Sequence, residues 1–280
     1  MQVSQLANRR SHLAFIAVTS VAMAAPAFAG PINTNVALTP AKGVSIFRLQ
    51  YKYAEADGSG PIAHLNASTV SNTFVHGVTA RLALFLTAQY NNRQVDRLHS
   101  DGGRFELAHD GIADFTFFAK YRFWENDPGP LETARWAAIG GLNVRSGDSD
   151  FTSDSYDPLA GAVYSWRRHR SRFDADLIYQ LNTGRDAFRH DNLRYDLAWS
   201  YRLFPSVYKP DDASEFDLVA ELNGRYTTDG SHELFLAPGA QFITERWAVE
   251  LSLQLPVVQE LAGSSPETDY RLVISMRFQW

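Results

Sequence analysis

Charged side chains recur at every second position along several stretches of the chain. Asp174 and Asp176 alternate with apolar neighbours, and so do Arg194 and Asp196. Alternate side chains of a β-strand point to the same face, so each pair would share one surface. Isolated charges in a dry core are prohibitively costly, whereas a water-filled interior can hold many paired ions. The pattern therefore predicts a hydrated, charged interior.

Patterns that would indicate catalysis are few. The chain has no Gly-x-Ser-x-Gly elbow, no phosphate-binding glycine loop and no His-Glu-x-x-His pair, and its eight histidines are scattered singly. His76 and Ser71 are predicted to share a strand but to face opposite sides. The sequence thus favours a protein that is not an enzyme and uses no cofactor, with an outer-membrane phospholipase-like hydrolase as the weakest alternative.

One acidic segment could in principle hold calcium, because hard cations prefer carboxylate oxygens. Asp148, Asp150, Asp154 and Asp157 lack the fixed spacing of a known calcium loop. A solvated loop is the favoured interpretation, and no metal site is predicted.

The elements that would carry these residues are about twelve strands of roughly ten residues. They are predicted at residues 43–55, 67–78, 82–92, 111–124, 134–146, 156–167, 172–182, 191–204, 215–227, 232–243, 247–257 and 269–280. Short connectors fall mostly at even junctions and long ones, such as 93–110, at odd junctions, with exceptions at 126–133 and 205–214. This organisation predicts an all-β, antiparallel, up-and-down transmembrane barrel.

The polar face of these strands is assigned to the lumen. Its predicted lining residues are Arg48, Lys52, Lys120, Arg122, Arg145, Asp174, Asp176, Arg194, Asp196, Arg202, Glu221, Arg225, Glu250, Arg271 and Arg277. Aromatic residues crowd the ends of the apolar face, as expected at the two membrane interfaces. These are Tyr51, Tyr53, Tyr121, Phe123, Tyr270, Phe278 and Trp280.

The first residues differ from the rest. Arg9 and Arg10 precede an apolar run that ends at Ala27-Phe28-Ala29, which predicts a secretory signal peptide over residues 1–29. Residues 30–42 are assigned to an N-terminal periplasmic segment and 43–280 to the barrel. Without this signal, the remaining 24 basic and 31 acidic residues give a charge of about −7, which argues against nucleic acid as a partner.

Several short motifs, taken in order, resemble a known family. They are Gly111-Ile-Ala-Asp114, Lys120-Tyr-Arg-Phe123, Gly140-Gly-Leu-Asn-Val-Arg-Ser-Gly147, Tyr201-Arg-Leu-Phe-Pro205, Leu236-Ala-Pro-Gly239, Thr244-Glu-Arg-Trp247 and Pro266-Glu-Thr-Asp-Tyr-Arg271. From about residue 43 to its end, the chain resembles the outer-membrane transporters associated with the meta-cleavage pathway of phenol degradation. At Arg145-Ser146-Gly147 it departs from the Pro-Thr-Gly-like sequence common in that family.

The resemblance implies a barrel in the bacterial outer membrane that passes small, often hydrophobic or aromatic compounds. Its partners would be outer-membrane lipid, the solute and, through the terminal Phe278 and Trp280, the barrel assembly machinery. Two hypotheses stay open: a passive channel with a charged lumen, and a plugged structural or partner-binding barrel. Basic residues outnumber acidic ones on the predicted inner face, which hints at tolerance for anions such as aromatic carboxylates.

Overall fold

The fold is that of a computed structural model, which describes residues 30–58, 62–98, 104–129, 131–184, 190–207, 209, 212–263 and 265–280. The predicted signal peptide over residues 1–29 lies outside these ranges. The strands are β1 (Ser45–Asp57), β2 (Ile62–Gly77), β3 (Leu82–Leu98), β4 (Arg104–Ile112), β5 (Phe115–Gly129), β6 (Glu132–Val144), β7 (Asp157–Arg168), β8 (Ser171–Gln180), β9 (Asn192–Phe204), β10 (Ser214–Thr227), β11 (His232–Thr244), β12 (Trp247–Glu260) and β13 (Glu267–Gln279).

These strands form one closed antiparallel barrel. Each strand pairs with its neighbours in the chain, except that β4 and β5 both pair with β3 and not with each other, and β1 also pairs with β13 along most of its length. The amide of Ser45 donates to the carbonyl of Trp280 at 2.9 Å, and the amide of Trp280 donates back at 3.0 Å. Closure removes the free sheet edges, so the strand backbones can satisfy their hydrogen bonds without water.

The barrel has twelve strand positions, as predicted, because β4 and β5 occupy one position together. β4 pairs with the far half of β3 and β5 with its near half. The predicted long connector at 93–110 was therefore wrong in extent, since most of it continues the β3–β4 hairpin. The predicted long connector at 126–133 was also wrong, because β5 runs to Gly129 and β6 begins at Glu132.

Connector lengths distinguish the two ends of the barrel. β1 begins and β13 ends at the end of the barrel with the short connectors 78–81, 130–131, 169–170 and 245–246, together with the longer 205–213. The other end carries the connectors 58–61, 99–103, 145–156, 181–191, 228–231 and 261–266. We call these the turn end and the loop end. In outer-membrane barrels the short turns face the periplasm.

The outer face is apolar along its length. Leu84, Leu177, Trp199 and Leu251 are each about half exposed, which is unfavourable in water and expected against lipid. Buried charged residues instead occupy the opposite face of the strands, in the lumen. No helix among the described residues is long and apolar enough to cross a membrane.

Candidate functional site in the barrel lumen

The chain that precedes β1 lies inside the barrel. Residues 30–40, which we call the plug segment, bond to side chains on β1, β5, β7, β8, β10, β11 and β13. Strands on all sides of a closed barrel can contact one short segment only from within. The structure therefore corrects the assignment of residues 30–42 to a periplasmic segment: at least residues 30–40 fill part of the lumen.

Two lumen carboxylates hold the backbone of the plug segment by its amides. Glu221 accepts from the backbone amides of Asn33 at 2.9 Å and Thr34 at 3.1 Å, and from the side-chain amide of Asn33 at 2.6 Å. Asp176 accepts from the backbone amide of Asn35 at 2.6 Å. Hydrogen bonds to a charged acceptor are stronger than neutral ones, and these occur where water is largely excluded.

The carbonyls of the plug segment meet cationic and amide donors. Arg277 donates to the carbonyl of Gly30 at 3.0 Å, as Gln241 does at 2.6 Å, and Arg48 donates to the carbonyl of Ile32. Both arginines also pair with the fully buried Glu250, Arg48 at 2.8 Å. This Arg–Glu–Arg cluster keeps one net positive charge and presents donors to the plug segment.

Apolar contacts fix two further points of the plug segment. Ile32 is fully buried against Val219 and Val273, while Ala37 packs on the opposite wall against β6 and β7. A Cβ added at Gly239 would lie 2.6 Å from Cδ1 of Ile32. The absent side chain at Gly239 is therefore what makes room for Ile32.

The other lumen residues predicted from the sequence fall into three groups. Lys120 donates to the carbonyl of Val36 in the plug segment at 2.8 Å, and Lys52 lines a cavity beside that segment. A second group pairs within the wall; its contacts are Asp174 with Ser165, Arg194 with Asp196 at 3.3 Å, Arg202 with Glu215 at 4.0 Å, Arg271 with Glu233 at 2.8 Å and Arg122 with Glu125 at 3.1 Å.

The third group lies away from the plug segment. Arg225 is exposed near the loop end of β10. Arg145 follows the last residue of β6 and pairs with Asp154 at 2.5 Å within the connector 145–156. The structure places Arg145 in a loop and not on the lumen wall, because the alternating pattern was extended past the end of its strand.

Several lumen residues were missing from the predicted set. Arg172 pairs with Asp217 at 2.9 Å, and Ser165 accepts from the amide of Ala37 at 2.8 Å. Arg172 has the same strand parity as Asp174, so the alternation could have found it. Nothing in the pattern distinguishes Ser165 from other small polar residues.

A cavity of about 360 Å³ separates the plug segment from one side of the wall. The strand pairing arranges its wall in rows from the turn end to the loop end. Ile46, Val75, Phe85 and Phe118 form the first row, Arg48, Thr73, Thr87 and Thr116 the second, and Gln50, Ser71 and Gln89 the third. This side of the lumen is mostly uncharged, whereas the acids are concentrated on β8 to β12.

The predicted interface aromatics lie on the strands as follows. Phe278 and Trp280 are exposed at the turn end, where the Trp280 ring lies 6.2 Å from that of Phe74. Tyr121 and Phe123 are exposed near the same end, on β5. Tyr53 and Tyr270 lie 6.2 Å apart near the loop end, whereas Tyr51 sits midway along β1.

The loop end contains an ordered acidic residue that the sequence did not single out as a site. Asp114 interrupts the strand between β4 and β5 and accepts from the amides of Ser146 and Gly147 at 2.9 Å and Ser153 at 2.6 Å. Burial alone would raise the pKa of Asp114, but these backbone donors lower it to about 2. Asp114 therefore anchors the connector 145–156 as an anion.

The four acids considered for calcium each have separate partners in this region. Asp148 accepts from the amide of Ile112 at 2.7 Å, and Asp150 lies 2.7 Å from His109. Asp154 pairs with Arg145, and Asp157 accepts from Ser155 at 2.7 Å. In the described part of the chain, no group of three or more potential ligands is arranged for a metal ion.

The residues considered for hydrolysis are also placed. His76 lies beside Ser45 at the turn end, with Nδ1 3.0 Å from Oγ, and is not beside Ser71. Among the described residues, His76 makes no hydrogen bond to a carboxylate. Ser71 faces the cavity.

Comparisons with solved structures found the following similar proteins. An outer-membrane channel from Pseudomonas putida F1 has 14% identity and a TM-score of 0.59, covering 90% of this chain and all of that one. The transport unit of the autotransporter AIDA-I from Escherichia coli has 11% identity and a TM-score of 0.47, covering 90% and 93%. The NanC porin has 12% identity and a TM-score of 0.45, covering 82% and 98%.

The structural similarity to the Pseudomonas channel supports the fold of a twelve-stranded outer-membrane barrel. A comparison with curated protein sequences found no match. The sequence profile of one family matches residues 53–256, which is more than half of the chain. The chain belongs to the family described as "Putative MetA-pathway of phenol degradation".

Proposed function

We propose that this protein is a passive outer-membrane channel for small solutes, which cross the barrel beside the plug segment. The observation that carries the proposal is the cavity of about 360 Å³ beside that segment, whose lining includes residues of β1, β2, β3 and β5. Passage through a narrow lumen is governed by its width and by the groups that line it. A segment fixed in the lumen narrows the path without the need for a long inward-folded loop.

The solutes are proposed to be small organic compounds, including aromatic ones. The family description concerns phenol degradation, and the first row of the cavity wall contains Phe85 and Phe118 with ring centroids 4.3 Å apart. Stacked rings provide an apolar surface on which a planar solute can rest. No catalytic role is proposed, since the residues around the cavity offer no nucleophile with an activating base.

The second candidate function is a closed barrel that binds a partner and conducts nothing. The dense bonding of the plug segment favours it, because Glu221, Asp176, Arg48 and Arg277 together hold that segment from several sides. The cavity beside the segment favours the channel. Conductance separates the two functions directly.

Export and assembly complete the proposal. Residues 1–29 would direct the chain across the inner membrane and be removed after Ala29. Trp280 directly follows β13, the strand that closes the barrel on β1, and with Phe278 it forms an exposed aromatic end. We propose that this end is the signal recognised by the barrel assembly machinery.

The test is conductance of the purified mature protein, residues 30–280, in planar lipid bilayers. Folding is checked first by the shift in electrophoretic mobility between unheated and heated samples. We expect discrete current steps that are smaller than those of wide general porins. A folded barrel that never opens a current would rule out the channel and favour the partner-binding barrel.

A further inference from the structure

The charges around the cavity are of one sign. Of its lining residues among the described part of the chain, five are cations and none is a carboxylate; the cations are Arg48, Lys52, Lys120, Arg194 and Arg277. This differs from the lumen as a whole, where acids are abundant. The lumen acids are held by the plug segment or by arginines, among them Arg48 and Arg277 on Glu250 and Arg194 on Asp196, and no carboxylate among the described residues lines the cavity itself.

Two of these cations have N–H donors that make no hydrogen bond to another described residue. Lys52 makes no hydrogen bond or ion pair with another described residue, although it is only partly exposed within the lumen. Lys120 uses one of its three donors on the carbonyl of Val36 and lies 4.7 Å from the ring of Phe85. An ammonium group without an ion-paired carboxylate, as at Lys52, attracts anions strongly inside a confined space.

The aromatic rings and the Lys52 ammonium group lie at different positions between the turn end and the loop end. Phe85 and Phe118 are in the row nearest the turn end, nearly parallel at 13°. Lys52 lies on the same face of β1 as Ile46, three alternate positions further toward the loop end. The rows between them carry threonine, serine and glutamine, which donate or accept hydrogen bonds, and one further cation, Arg48, which is paired with Glu250.

We propose that the cavity selects small aromatic carboxylates, with the carboxylate drawn to Lys52 and the ring passing over Phe85 and Phe118. The channel function proposed above is assumed, and a solute class is added to it. A carboxylate gains the attraction of the cations, whereas an organic cation is repelled by all of them. An aliphatic carboxylate is attracted by the same cations, but it has no ring to contact Phe85 and Phe118.

The test measures reversal potentials in planar bilayers. Potassium benzoate against potassium chloride gives the relative permeability of benzoate. Benzylammonium chloride gives that of an analogue with the opposite charge. Wild-type protein is expected to pass benzoate at least tenfold more readily than benzylammonium. Lys52→Gln should reduce this ratio several-fold, whereas Arg145→Gln, the same charge change on a loop outside the cavity, should leave it unchanged.

Phe118→Leu tests the ring contact separately. We expect it to lower the permeability of benzoate relative to acetate while the preference for anions over cations is kept. Equal passage of benzoate and benzylammonium, or a preference for the cation, would overturn the proposal while current steps still supported a channel. A complete absence of current would instead overturn the proposed function itself.

Discussion

Glu221 on β10 accepts a hydrogen bond from the backbone amide of Asn33, 188 residues earlier in the chain, at 2.9 Å. The same carboxylate accepts from the amide of Thr34 at 3.1 Å. Both oxygens of a buried acid are thus used to hold a segment without regular secondary structure. The contact ties the start of the described chain to the middle of the barrel wall.

Substitution of this acid should release the plug segment without unfolding the barrel. In Glu221→Gln, the remaining side-chain oxygen can still accept from a backbone amide, but the negative charge is lost and the new NH2 group faces the side-chain amide of Asn33. The cost is roughly 2–3 kcal/mol for hydrogen bonds to a charged group. The equilibrium between seated and released segments should shift by about 30- to 150-fold. We expect larger and noisier currents and faster proteolysis within residues 30–40.

The matched control is Glu267→Gln, which removes an exposed carboxylate at the loop end of β13. It should behave as wild type in both assays. Identical currents and identical cleavage rates for Glu221→Gln and wild type would show that this carboxylate does not hold the plug segment.

The apolar contact of Ile32 should contribute separately. Ile32→Ala removes a fully buried side chain from Val219 and Val273, which costs about 2–4 kcal/mol when the site cannot collapse. The substitution weakens the attachment of the plug segment and leaves the strand pairing intact. The heat-induced mobility shift should therefore be unchanged, whereas the single-channel current should rise. Ile274→Ala, on the lipid-facing side of β13, is the control and should leave the current unaltered.

Locking the plug segment should leave the channel conducting. Oγ of Ser165 lies 2.8 Å from the amide nitrogen of Ala37, and the chain has no cysteine. Cysteines introduced as Ala37→Cys and Ser165→Cys are close enough to be tested for a disulfide. If solutes pass beside the segment, oxidised and reduced channels should conduct alike. Loss of current on oxidation, restored by reductant, would mean that the plug segment must move from its position in the lumen before solutes can pass.

The connector 145–156 should depend on pH through Asp114. The lowered pKa means that the folded protein binds this proton less readily than the unfolded chain, so the stabilisation is present above the ordinary pKa of 3.8 and is lost as the pH falls through about 2. The shift corresponds to roughly 2 kcal/mol. The protection factors of residues 146–153, corrected for the intrinsic slowing of exchange in acid, should be high at pH 5 and fall as the pH is lowered from 4 to 2.

Asp114→Asn should remove that dependence and loosen the connector at pH 5. Asp110→Asn, which changes a nearby exposed acid bonded to Tyr90, serves as the control. If Asp114→Asn has the same protection as the wild type at pH 5 and the same decrease toward pH 2, the anchoring role is contradicted.

The barrel could be predicted from the sequence because polar and apolar residues alternate along its strands. Every lumen position alternates with a lipid-facing one, so Asp174 and Asp176 or Arg194 and Asp196 reveal both a strand and its inner face. The rule fails where periodicity ends. Arg145 keeps the parity of β6 but lies one residue beyond its last residue, Val144.

The plug segment could not be predicted in this way. Residues 30–40 carry no charge and no alternation, and most of their polar contacts with the wall are made by backbone amides and carbonyls. Those groups are the same for every residue type. The residues that hold the plug segment, Glu221 and Asp176, could be assigned to the lumen face of the wall. Their presence does not predict a plug segment, because a lumen acid can equally pair with a neighbouring arginine.

The most direct measurement compares single-channel conductance of the mature protein with that of a variant lacking residues 30–40, both shown to be folded by heat-dependent mobility. A channel narrowed by its plug segment predicts small, discrete steps for the mature protein and steps several-fold larger for the deletion variant. Equal conductance in the two proteins, or no current from either, would contradict it.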